Sequence, residues 1–137
     1  MDDARQRKNI VVGVLQNAAG RVLIIKRTTT EDAQGGQKLT WVFPGGHVEN
    51  GDPKAELVKE FKEETGYQVE ILEQLSERDY TKPYVHLTYY RCALVSSTTT
   101  VIENTEEVDR IKWVEPGLLT KFFTTDLDPK VAQYLGI

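Results

Sequence analysis

Apolar and polar positions sort into short β-type runs divided by polar connections, with one clearly helical segment among them. Asn9 to Gln16 (N-I-V-V-G-V-L-Q) and Arg21 to Arg27 (R-V-L-I-I-K-R) are β-branched runs. They flank the turn-like Asn17-Ala18-Ala19-Gly20, a pattern that predicts a hairpin. Thr28 to Lys38 is polar, contains Gly35-Gly36 and reads as a loop. A short strand from Thr40 to Phe43 then meets the breaker Pro44-Gly45-Gly46. The periodicity becomes helical from about Pro53 to Thr65, where Asp52 is a capping residue, Pro53 suits the first turn and Gly66 is placed to end the helix. Tyr67 to Leu75, Tyr84 to Val95 and Ile111 to Val114 are predicted strands, with the polar Ser96 to Asn104 as a connection. Glu115 to Phe123 and Asp128 to Leu135 are predicted terminal helices. Neither a repeat nor a linker divides the chain, so one mixed α and β domain over residues 1–137 is expected.

The central helix is chemically unusual. At 100° per residue, Glu56, Glu60, Glu63 and Glu64 fall within about 100° of one another, because spacings of three and four share a face. Leu57, Val58 and Phe61 form an adjoining apolar stripe suited to packing on a sheet, and Lys59 and Lys62 take the remaining side. Like charges at such spacings destabilise a helix by roughly 0.2–0.5 kcal/mol per pair, and the helix dipole disfavours anions toward its C-terminal end. A compensating cation resolves both penalties. Carboxylate oxygens are hard ligands that suit magnesium or manganese. A solvated acidic face is the alternative for any such cluster taken alone.

Composition narrows the field. The chain has 137 residues, 39% hydrophobic and 28% charged, with a net charge of −4. These are ordinary values for a folded domain, and they offer no basic face for a nucleic-acid polymer. The single cysteine, Cys92, excludes an internal disulfide or a cysteine-based zinc site, and its apolar surroundings predict burial. No secretion signal and no run of about 20 apolar residues is present, so a soluble cytoplasmic protein without membrane contacts is expected.

The segment from Gly46 to Gly66 (G-H-V-E-N-G-D-P-K-A-E-L-V-K-E-F-K-E-E-T-G) resembles the signature of the Nudix family, G-x5-E-x7-R-E-U-x-E-E-x-G-U with U a bulky apolar residue. The match spans residues 45–67, and the lead-in Pro44-Gly45-Gly46, preceded by Trp41 and Phe43, agrees with it. Three features depart from the pattern. The interval between Asp52 and Lys59 is one residue short, Lys59 stands for arginine, and Tyr67 replaces an aliphatic residue. Lysine keeps the charge but loses the two-pronged carboxylate contact.

The resemblance implies the Nudix α/β (α+β) fold, a mixed β-sheet between α-helices that carries a loop–helix–loop catalytic motif. It implies Mg2+, or Mn2+, as cofactor, with Glu60, Glu63 and Glu64 as metal ligands and catalytic groups. Glu56 is placed to substitute for the missing first glutamate. Gly45 and Gly46 are expected to let the backbone approach metal and phosphates, and Arg27 to touch substrate phosphate. A later carboxylate is expected from Glu103, Glu106 or Glu107, with Glu106 preferred. Trp41, Tyr80 and Tyr84 are flat groups that either stack on a base or join the core. His47 and His86 receive no catalytic role.

The implied reaction is hydrolysis of the pyrophosphate bond in a nucleoside triphosphate, or in a nucleoside diphosphate linked to another group, by a monomer or homodimer. The alternative is a Nudix-fold sensor that binds nucleotide without turning it over.

Overall fold

The computed structural model describes residues 8–32, 38–80, 82–96, 108–124 and 126–137. Strands β1 (Lys8–Leu15), β2 (Val22–Asp32), β3 (Lys38–Val42) and β4 (Gly45–Val48) precede helix α1 (Pro53–Thr65). Strands β5 (Val69–Tyr80), β6 (Lys82–Leu94) and β7 (Val108–Val114) follow, then a 3-10 turn at Pro116–Leu118 and helices α2 (Leu119–Phe122) and α3 (Pro129–Leu135).

The strands form a four-stranded sheet in the order β4-β1-β6-β5 and a three-stranded sheet in the order β3-β2-β7. β1 pairs antiparallel with β4 and parallel with β6, so the first sheet is mixed. The turn expected after β1 is present: the Asn17 Oδ1 accepts from the N–H groups of Ala19 and Arg21, and Gly20 takes φ 80°. The predicted hairpin is not, because β1 and β2 part after the single bridge Gln16↔Val22 and enter different sheets. Both strands are buried on two faces, and an unbroken apolar run does not specify its partner.

Alternation along β1 divides the core into two layers. Val11 and Leu15 join Leu57 and Phe61 of α1, while Val12 and Val14 join Leu119 of α2 and Val131 of α3. The sheets therefore lie between α1 and the C-terminal helices, the mixed α and β architecture expected from the sequence. Other boundaries moved. β2 extends to Asp32, into the predicted loop. Gly45-Gly46, expected as a breaker, opens β4, with Gly45 opposite Val12 and Gly46 opposite Val11. β5 runs past its predicted end through three register shifts that disturb the period-two signal. Val58 is 38% exposed, so the buried stripe of α1 is Leu57 and Phe61 continuing to Glu64 and Thr65. Val58 lies 100° round the helix from Leu57, outside that row.

Candidate active site

Local chemistry fixes α1 at both ends. The Asp52 Oδ1 accepts from the Lys54 N–H at 3.0 Å, Pro53 fills the first helical position, and Gly66 closes the helix at φ 77° with its N–H on the Lys62 carbonyl. Leu57 and Phe61 are fully buried, which contributes about 1.5–3 kcal/mol for each side chain. The ring of Phe61 lies against Gly13 of β1, where a Cβ would run into the ring and stand 2.8 Å from the Cys92 Sγ. Below it, the Thr65 hydroxyl donates to the Phe61 carbonyl at 2.6 Å and accepts from the Tyr67 N–H at 3.1 Å. These contacts set the rotation of the helix and turn its glutamates toward β4.

Glu64 is 2% exposed, and its Oε1 accepts the Gly45 N–H at 3.0 Å. Glu60, half-buried, lies along Gly46 so closely that a Cβ there would stand 2.6 Å from its Oε2. At Gly45 a Cβ would run into the Val11 carbonyl. Each glycine is thus required by a close approach: one to backbone, the other to a carboxylate. Burial pushes the Glu60 carboxyl up to about 9, helped by a hydrogen bond with Glu56 and by the charges of Glu64, Glu56 and Glu63. Among the described residues no lysine or arginine pairs with Glu56, Glu60 or Glu63, and Lys59 and Lys62 point to solvent.

A divalent cation fits this donor set. The donors are hard oxygens, and Glu60 at neutral pH keeps a proton where a cation would neutralise the cluster. The cradle between Gly46 and Glu60 exists only because position 46 has no side chain. Among the described residues no three His, Cys, Asp or Glu side chains close on one point. That is compatible with magnesium, which commonly takes one or two carboxylates and completes its shell with water and substrate phosphate. Asp52, at the first glutamate position of the signature, is engaged as helix cap, whereas Glu56 contacts Glu60 directly.

The remaining predicted residues are dispersed. Arg27 is half-buried on β2, opposite Val108. Glu103, Glu106 and Glu107 lie outside the described residues, as do the side chains of Tyr80 and Tyr84. Trp41 packs edge-on to Phe122 of α2, with ring centroids 5.5 Å apart. His47 makes a loose 3.8 Å contact with Glu49, and His86 is bracketed by Glu77 at 2.8 Å and Asp79 at 3.1 Å. Cys92 is buried, which raises its thiol to about 12. Sequence reasoning missed Gly13, although a lone glycine inside a β-branched run is a sign of close approach. It also missed Arg78, which bonds Asp126, Asp128 and Tyr89 and leaves no local pattern.

A family model described as the NUDIX domain matches residues 6–134. The chain belongs to the Nudix family. No curated protein matches it by sequence. Among solved structures, a NUDIX hydrolase from Nitrosomonas europaea superposes with a TM-score of 0.71 at 16% identity, over 95% of this chain and 86% of that one. An ADP-ribose pyrophosphatase from Streptococcus suis 89-1591 superposes with a TM-score of 0.61 at 18% identity, over 93% and 87%. A UDP-X diphosphatase gives a TM-score of 0.63 at 18% identity; the match covers 94% of this chain but only 60% of that longer one. At such identities the likeness establishes the Nudix fold and leaves the substrate open.

Proposed function

We propose that this Nudix protein is a hydrolase of the pyrophosphate bond in small nucleotides, dependent on Mg2+ or Mn2+ and working as one domain over residues 1–137. The observation that carries the reading is the α1 carboxylate cluster, held against the glycines of β4 and, among the described residues, supplied with no basic partner for Glu56, Glu60 or Glu63. A cluster kept only for stability pairs its acids or exposes them. Solved structures similar to this chain include an ADP-ribose pyrophosphatase and a UDP-X diphosphatase, which supports a nucleoside diphosphate joined to a second group as the substrate class. Among the described residues no helix is long and apolar enough to cross a membrane.

In this reading Glu60, Glu63 and Glu64 are the metal-ligating carboxylates, one or two of them on the cation directly and the rest through its water, with Glu56 beside Glu60 in place of the first signature glutamate. The bound ion supplies charge neutralisation for the diphosphate and a lowered pKa for attacking water. Glu64 also ties the cluster to the Gly45 N–H, so the carboxylates and the β4 backbone keep one spacing. Gly45 and Gly46 leave the backbone free of side chains where phosphate approaches. Arg27 binds phosphate, and Glu106 receives the proton of the attacking water as general base. The P–O–P bond breaks as water adds to one phosphorus, yielding a nucleotide and a phosphorylated fragment.

The purified protein, incubated with Mg2+ and a panel of triphosphates, oxidised triphosphates, ADP-ribose, sugar nucleotides and dinucleoside polyphosphates, should release phosphate or phosphorylated products from one class. Glu64→Gln should abolish that release. Tight nucleotide binding with no turnover across the panel would establish the sensor in its place.

A further inference from the structure

Helix α1 does not cover the whole of the sheet face on which it packs. Phe61 closes over Gly13, and Leu57 lies one turn nearer the start of the helix. Beyond that start, on the same face, lies a cavity of about 290 Å3. Strand register builds its floor. Val11 of β1 stands beside Thr88 of β6, and Tyr90 of β6 stands beside Gly13 and opposite Gln74 of β5. Val48 of β4 and the loop Glu49-Asn50-Gly51 that leads into the α1 cap form another wall. The volume suits one small molecule, at the lower end of the range for ligand pockets. The cavity is separate from the acids, since none of Glu56, Glu60, Glu63 and Glu64 lines it.

Tyr90 distinguishes this space from a gap in packing. It is only 8% exposed and lines the cavity, yet among the described residues its hydroxyl has no hydrogen-bond partner. A buried phenol ordinarily finds one. Burial, then the charges of Asp52 and Glu77, push the phenol above its usual range, so it stays protonated in a negative field. Glu49 adds a carboxylate to the lining, held by a loose 3.8 Å contact with His47. Gln74 gives its amide N–H to Glu77 at 3.2 Å and keeps its carbonyl oxygen for a donor. Among the described residues that line the cavity there is no lysine, arginine or histidine. The chain's own cation nearby is Lys54, whose ammonium stands 6.0 Å over the Tyr90 ring, the outer limit of a cation–π contact. Acceptors, a π face and an apolar floor of Val11 and Val48 together select a cationic head on a short apolar stem.

We propose that this cavity is a second ligand site for a small organic cation, an alkylamine or alkylguanidine, with its stem on Val11 and Val48 and its head between the Tyr90 hydroxyl and the Glu49 carboxylate. Pro53 also lines the cavity, so an occupant touches the first turn of the helix that carries the acids. The site stands apart from the hydrolase reading and does not rest on it.

The test is a titration of 15N-labelled protein with n-butylamine and with n-butylguanidine, Mg2+ being present to occupy the α1 carboxylates. The side-chain amide signals of Asn9, Asn50 and Gln74, three residues of the lining, should shift together along one saturable curve for at least one of the two. The neutral n-butanol, with the same stem, should bind at least about tenfold more weakly. Tyr90→Phe and Glu49→Gln should each weaken the cation about tenfold, the usual effect of losing one charge-assisted contact. Glu49 is exposed, so its variant keeps the test valid if Tyr90→Phe disturbs the core. Lys54→Gln, which takes the chain's own ammonium off the ring, should leave the affinity equal or higher. The proposal is overturned if neither cation gives a saturable shift, if n-butanol binds equally well, or if Glu49→Gln leaves the affinity unchanged. Weaker binding in Lys54→Gln would show a site built for an anion and overturn it as well. Turnover and its loss in Glu64→Gln are untouched by any of these results, so the hydrolase reading stands or falls separately.

Discussion

Two groups of acids in this molecule lie on or beside helices and meet opposite fates. Asp126 and Asp128, beside α3, are matched. The Arg78 guanidinium lies 3.0 Å from Asp126 and 3.5 Å from Asp128, Ser76 donates to Asp128 at 3.0 Å, and Asp128 also caps α3 through the N–H groups of Lys130 and Val131. Asp128 is 3% exposed, yet its oxygens are satisfied by a cation, a hydroxyl and two amides. On α1 the acids are set against each other, and Glu60 is pushed to about 9 by burial and by three glutamate neighbours. The difference separates two uses of buried charge. Paired acids join elements together, whereas Glu56, Glu60 and Glu63, which among the described residues have no lysine or arginine partner, fit the cation proposed above.

The largest expected contrast is between variants of these groups. Glu60→Gln and Glu64→Gln should lower turnover by at least ~100-fold, a loss of the size seen when a transition-state electrostatic group is removed, and Glu60→Gln should leave the melting temperature unchanged at neutral pH and raise it above about 9, where it removes a charge from the cluster. Asp128→Ala should do the reverse, costing about 2–4 kcal/mol through the lost cap and the stranded Arg78, with kcat little changed in what stays folded. Kinetics and chemical denaturation on the same preparations check both. If Asp128→Ala lowered turnover as much as Glu60→Gln at full stability, the division of roles would be wrong.

The glycines sharpen the same contrast over a shorter distance. Gly45→Ala forces a methyl onto the Val11 carbonyl and should cost about 1–3 kcal/mol in urea denaturation, since backbone has to move. Gly46→Ala meets only the far end of the Glu60 side chain, which gives way. It should fold nearly as well as the parent while losing about tenfold in turnover, a small misplacement at the reacting centre.

The sequence made these residues legible to different degrees. α1 could be read to the residue, because Asp52, Pro53 and Gly66 are local signals and the glutamate spacing is a property of the helix alone. Strand pairing was not legible: β1 and β2 are neighbours in sequence with a genuine turn between them, and only packing on both faces of β1 sends it to β6 and β4. The Arg78 clasp joins residues about 50 apart in the chain, a distance at which no periodic signal operates. Gly45-Gly46 reads as a breaker by propensity, yet here the missing side chains permit a strand to lie flat against Val11 and Glu60.

A pH effect of intermediate size should mark the α1 acids. The Glu60 pKa is raised in the folded state, so the folded protein holds this proton more tightly than the unfolded chain does. The resulting stability is fully present below the ordinary value of 4.5 and is lost as pH rises through about 9. In EDTA the melting temperature should therefore fall across that window, and Mg2+ should restore it at the alkaline end. Glu60→Gln should flatten both responses. The smallest effect concerns Cys92. With its thiol at about 12 and its side chain buried, it should resist alkylation at pH 8 in the native state and react only on unfolding.

The most direct test is calorimetric titration with Mn2+ at pH 8 of the parent protein, Glu60→Gln and Asp128→Asn, each confirmed folded. The parent and Asp128→Asn should bind the cation alike, and Glu60→Gln at least tenfold more weakly. Equal affinity in all three would contradict the assignment of the α1 carboxylates to a metal.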